Sequence, residues 1–166
     1  EIADRDWSSD VCSSDLSDYW LGDYGVTELN SVPFFFVRGG LSIDRVYRVG
    51  EELNGGPKTW WSQEELSFSQ MLTCIENYKA NFQDLILSHV PPASVIDEVH
   101  GNKGNGILQR FKLHEGFREN MSLLCDELLK IHRPKLWVFG HHHVKFDKVI
   151  DGTRFVCLPE LGTMEI

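Results

Sequence analysis

Leu136-Trp137-Val138-Phe139-Gly140-His141-His142-His143 is the stretch from which the rest of this chain can be read. Four apolar residues, two of them aromatic and one β-branched, are stopped by a glycine. A run that short and that continuous predicts a strand, from Lys135 to Phe139, buried on both faces. Before it, Asn120 to His132 carries Leu124, Leu128 and Ile131 on one face and predicts a helix, ended by Pro134. After it, Val144 to Ile150 and Thr153 to Leu158 flank Asp151-Gly152, whose positive φ suits a two-residue hairpin loop.

Working upstream, the same alternation recurs. Leu85-Ile86-Leu87 is a second apolar run, ending in Ser88-His89 before Pro91-Pro92, which can neither continue a ladder nor enter a helix interior. Ser67 and Gln70 form a capping-box pattern ahead of Phe68, Met71, Leu72, Ile75 and Tyr78 at helical spacing, so a helix is expected from Ser67 to about Ala80. Phe34-Phe35-Phe36-Val37, stopped by Gly39-Gly40, predicts another strand buried on both faces, with Arg38 at its exit. Strands alternating with helices predict an α/β layered domain. Val90 to Glu119, with four glycines and weak periodicity, reads as a long loop forming a flexible wall beside His89.

The chain has 166 residues, 42% hydrophobic and 25% charged, within the range of one globular domain. A net charge of -9 argues against a surface that holds nucleic acid by neutralising phosphates, although a local basic groove remains open. No run of about 18 apolar residues predicts a membrane span, and no signal pattern is readable at the start, so the expected compartment is the cytoplasm. Cys12, Cys74, Cys125 and Cys157 lie far apart, which suits reduced, buried thiols better than a disulfide framework. Residues 1–16, EIADRDWSSDVCSSDL, lack helix or strand periodicity and read as a disordered acidic tail. The segment also resembles the translated read-through of a sequencing adapter; on that reading it is artefactual, and the chain from Ser17 onward is a partial domain beginning in mid-gene.

The histidines carry the chemistry. Open α/β sheets place ligands where strands end, and both His89 and the triplet fall at such ends. If the triplet stays extended, His141 and His143 point to one side and His142 to the other. Imidazole is a common ligand for zinc, iron and similar divalent ions, so His89, His141 and His143 make a plausible half-site. A solvated polar loop, and a structural hydrogen-bonding role for His89, are the plainer alternatives. His100, His114 and His132 read as surface residues without partners, with His132 favoured by a helix C-terminus.

Taken in order, these features resemble the calcineurin-like metallophosphoesterases. That family carries Asp-x-His, Gly-Asp, Gly-Asn-His, an isolated His after a strand, and Gly-His-x-His. The last two are matched here by Leu85 to Val90 and by Gly140 to His143. Val37 to Arg48, Trp60-Trp61 and Glu64-Glu65-Leu66 resemble a bacterial and phage subgroup. The resemblance spans about Val32 to Gly162. It implies the C-terminal part of a layered αββα sandwich with mixed sheets, and two divalent metal ions (Mn, Fe, Zn or similar), with His89 and His141 on one and His143 on the other. It also implies hydrolysis of phosphate mono- or diesters. Asp-x-His and Asn-His occur nowhere in the sequence, and Gly22-Asp23 is not preceded by a buried strand. The bridging Asp and the acid His therefore have no counterpart, no catalytic residue is assigned, and little activity is expected. Arg38 could meet a phosphate through its bidentate fork. Asp44 with Arg45 or Arg48, and the two tryptophans, read as framework. The alternatives are a non-catalytic metal-binding or structural module, and a nuclease-type diesterase, which the acidic charge disfavours.

Overall fold

The computed structural model describes residues 21–101 and 117–165. Its centre is one mixed six-stranded sheet in the order β1-β2-β3-β4-β6-β5. The strands are β1 (Tyr24–Leu29), β2 (Val32–Val37), β3 (Leu85–Ser88), β4 (Leu136–Phe139), β5 (Phe146–Ile150) and β6 (Thr153–Cys157). β2, β3, β4 and β6 run parallel, and β1 and β5 close the two edges antiparallel. Among the described residues four helices accompany them: α1 (Arg45–Leu53), α2 (Phe68–Asn81), α3 (Ile96–His100) and α4 (Asn120–Ile131).

Strand composition explains the layering. In β2 the pleat sends Phe35 and Val37 to one face and Phe34 and Phe36 to the other, and all four are buried. Phe35 joins Cys74 and Tyr78 of α2, Leu124 and Leu128 of α4, and Ile86, Trp137 and Phe155 of the sheet in the larger core. Phe34 and Phe36 join Leu85, Val138 and Val156 in the second. α2 and α4 pack together on the first face, which fits right-handed crossovers that step in one direction along the sheet. α2 begins where its capping box predicts: Ser67 Oγ accepts from Gln70 N–H, and Ser67 N–H donates to Gln70 Oε1 at 2.9 Å.

The predicted elements at 34–37, 67–80, 85–88, 120–132, 135–139 and 144–158 are all present, with ends moved by one or two residues. Asp151 and Gly152 take φ of +47° and +87°, as the hairpin requires. β1, α1, α3 and two 3₁₀ turns, Ser62–Glu64 and Ala93–Val95, lie outside the predicted elements. β1 joins β2 through Asn30-Ser31, both at positive φ, a two-residue turn without the glycine that advertises one. α1 spaces Val46, Val49 and Leu53 as a helix does but buries none of them, and no side-chain cap marks its start. α3 and the 3₁₀ turn Ala93–Val95 before it occupy the start of the expected loop; residues 102–116 of that loop lie outside the described residues, as do the tail 1–16 and His114. Among the described residues no helix is long and apolar enough to cross a membrane.

Candidate functional site

Parallel register puts the functional residues on one edge. Val37 pairs with Ser88, Ser88 with Phe139, and Phe139 with Cys157, so the four central strands finish in line. The residues that follow, Arg38, His89, Gly140 and Leu158, therefore emerge side by side at the carboxyl ends of the strands, the edge where open sheets bind ligands. Backbone bonds lock this edge: Gly140 N–H donates to His89 O at 3.2 Å, and Leu158 N–H to Phe139 O at 2.9 Å.

His89 and His141 meet there. His89 Nε2 lies 2.9 Å from His141 Nδ1, with ring centroids 4.7 Å apart. That spacing suits one N–H shared between two neutral rings, or two nitrogens facing one small ion. Burial lowers the pKa of both, although His89 keeps an exposed side. His141 falls to about 4, with repulsion from His89, His143 and His100 adding to burial; for His89 the Glu64 carboxylate opposes the fall. Neutral imidazole is the form that ligates metals.

Close approach of the chain shapes the floor beside His89. A Cβ on Gly40 would stand 2.7 Å from His89 Cδ2 and 2.8 Å from Val90 Cγ1, so only glycine lets this backbone pass. Next to it Leu41 N–H donates to Glu119 Oε2 at 2.6 Å. Glu119 is 8% exposed, and burial pushes its carboxyl up to about 7. No pattern in the sequence singled out this glutamate, because its burial comes from meeting Gly40 and Leu41, nearly eighty residues away in the chain.

The histidine triplet is not extended. β4 stops at Phe139, and His141 and His143 adopt φ of +62° and +52°, so the alternation of a strand does not apply. His143 is exposed, with Nδ1 at 3.7 Å from Glu160 Oε2, and is near enough to His89 and His141 for its charge to act on both. His142 turns inward instead of away, with its ring 5.2 Å from that of His141 and its Nδ1 2.8 Å from His100 Nε2. Burial first, then the neighbouring histidines, lower His142 to about 3. His100 is thus no lone surface residue. Nor is His132, which caps the end of α4, stacks on Phe82 at 4.4 Å and reaches Asp84 Oδ1 at 3.3 Å.

Arg38 stands at its predicted strand exit, but two of its nitrogens are engaged: Nε donates to Asp23 Oδ1 and Nη1 to Gln63 O, each at 2.6 Å. Asp23 Oδ2 also accepts from Gln70 Nε2 at 2.6 Å, so Asp23 ties the start of β1 to α2. Asp44 pairs with Arg48 at 2.9 Å, one of the two ion pairs expected.

Tested against a two-ion centre, the described residues fit only in part. His89 and His141 supply two converging nitrogens. Among the described residues no group of three or more His, Cys, Asp and Glu side chains is arranged to hold a metal ion. A scan against protein-family models finds no match, and no curated protein matches the chain.

Proposed function

We propose that this chain is a piece of a metal-dependent phosphoesterase of the calcineurin-like kind, the C-terminal part of its αββα sandwich, in which His89 and His141 serve one divalent ion and His143 a neighbouring one. The observation that carries the proposal is the 2.9 Å approach of His89 to His141 across adjacent parallel strands. These two histidines are separated by fifty-one residues of sequence, and strand-end position and motif order both point to them. An ion of manganese, iron or zinc type held there would polarise phosphate oxygens. What the protein itself contributes is placement: the ladder aligns the strand ends, Gly40 leaves room for the His89 ring, and burial keeps both imidazoles neutral. For Arg38 to grip a phosphate through the Nε side of its fork, its pair with Asp23 would have to open.

Calorimetric titration with manganese or zinc tests this. A site-specific heat lost in both His89→Ala and His141→Ala supports the proposal, and a heat unchanged in both overturns it. A second reading, a non-catalytic module holding one ion or none, is favoured by the lack of a third converging donor among the described residues. Hydrolysis of an aryl phosphate separates the two: metal-dependent turnover lost in His141→Ala belongs to the phosphoesterase alone. Because the sequence has neither Asp-x-His nor Asn-His, turnover by this chain is expected to be very slow.

A further inference from the structure

Two of the histidines that the proposed centre leaves aside, His100 and His142, are paired with each other. His100 is the last residue of α3, and its ring meets that of His142 edge to face, with centroids 4.5 Å apart and Nε2 2.8 Å from His142 Nδ1. His142 is wedged between His141 and Phe139, at 5.2 and 6.4 Å between centroids, and its Nε2 is buried with no hydrogen-bond partner among the described residues. A ring so placed is costly to keep inside unless something fixes it.

The segment that carries these rings needs outside support. Gly140 to His143 lies beyond the ladder, and His141 and His143 occupy the left-handed region that residues with a Cβ avoid. Its own backbone bonds, Gly140 N–H to His89 O and His142 N–H to Gly140 O, secure only its first half. Cys157 Sγ, 3.4 Å from Gly140 O, also meets the backbone of His142 and Val144 and so anchors the main chain of the turn but not its rings. The second half is gripped through the His142 ring, from α3, and more loosely through the exposed pair of His143 with Glu160 at 3.7 Å. That helix is itself tied down on two sides, by Lys148 of β5 to Glu98 and by Arg118 to Asp97.

We infer that His100 is a positioning residue: by holding the His142 ring it fixes the Gly140–His143 turn, and with it the direction in which His141 and His143 face. The consequence for metal affinity rests on the proposed function; the consequence for the turn does not.

Both are read on the same chain. In NMR spectra without metal, His100→Ala is expected to displace the backbone and ring resonances of His141 and His143 while those of Ile86 and Trp137 stay in place. His100→Gln, whose amide can meet His142 Nδ1, restores them. In manganese titrations His100→Ala lowers affinity about 10- to 100-fold, the usual range for a partner behind a ligand, and His100→Gln recovers it. His141 and His143 resonances that do not move in His100→Ala overturn the inference. So does a displacement that spreads through the sheet and is not restored by His100→Gln. If the unsubstituted chain gives no His141-dependent manganese heat while the His100→Ala displacement is present, the proposed function fails and the positioning role stands.

Discussion

The two histidine pairs lie close together, the His141 and His142 rings being 5.2 Å apart, but they are built in opposite ways. His89 and His141 each stand just beyond the end of a buried parallel strand, so the ladder that aligns Ser88 with Phe139 also aligns them. His100 and His142 have no such frame. One ends a five-residue helix, the other sits in a turn with strained neighbours, and they meet only because α3 docks on that turn. A pair set by a sheet inherits the stability of the core, whereas a pair set by docking of a short helix inherits only its local contacts. Metal ligands belong on the first kind of frame, and parts that adjust belong on the second.

The contrast can be broken most forcefully at Trp137, which is fully buried beneath the first pair and donates from Nε1 to Ser88 Oγ at 2.7 Å. Trp137→Ala should cost about 3–5 kcal/mol in chemical denaturation and dissolve the His89–His141 contact along with the sheet. A loss under about 1 kcal/mol would mean that the ladder does not set the first pair.

Glu119 gives a pH test on the same side. Its carboxyl is raised from 4.5 to about 7 in the folded chain, chiefly by burial, so the fold favours its protonated form. That contribution is fully present below pH 4.5 and is lost as pH rises through about 7. Glu119→Gln keeps an acceptor for Leu41 N–H and has nothing to ionise. It should therefore be more stable than the parent at pH 8, by up to about 3 kcal/mol, with the difference shrinking toward pH 5. Equal stability of the two proteins across that range would refute the raised carboxyl.

Gly40→Ala sharpens the comparison by touching one pair alone. The new methyl would meet His89 Cδ2 and Val90 Cγ1 at under 3 Å. A cost of about 1–3 kcal/mol is expected, with His89 displaced from His141 and the His100–His142 contact unchanged in NMR spectra. The smallest effect should come from Glu98→Gln, which removes the exposed pair with Lys148 that helps hold α3. It should cost less than about 1 kcal/mol overall but speed amide exchange in α3 and not in β3 or β4.

Several parts were legible before any coordinates, each because its cause is local. The strands of the parallel core announce themselves as short unbroken apolar runs, α2 by its capping box, and the second hairpin by Asp151-Gly152. The first hairpin went unread because Asn30-Ser31 adopts the same positive φ without a glycine, held by the pairing of β1 with β2. The candidate site divides along the same line. His89 and His141 could be named from strand-end position. The inward turn of His142 and its pairing with His100 could not, because alternation holds only while the strand continues, and this one ends at Phe139.

By itself, the order of residues determined the alternation of strands and helices and the placing of His89 and His141 beyond two strand ends, since apolar period and chain breakers act over a few residues. Only the tertiary structure decided which strands lie side by side, that Glu119 is buried against Leu41, that Arg38 is engaged by Asp23, and that four histidines gather as two pairs. Those outcomes depend on contacts between residues tens of positions apart. Their cost in chain entropy is met only when the whole core closes, so no short window of sequence can signal them.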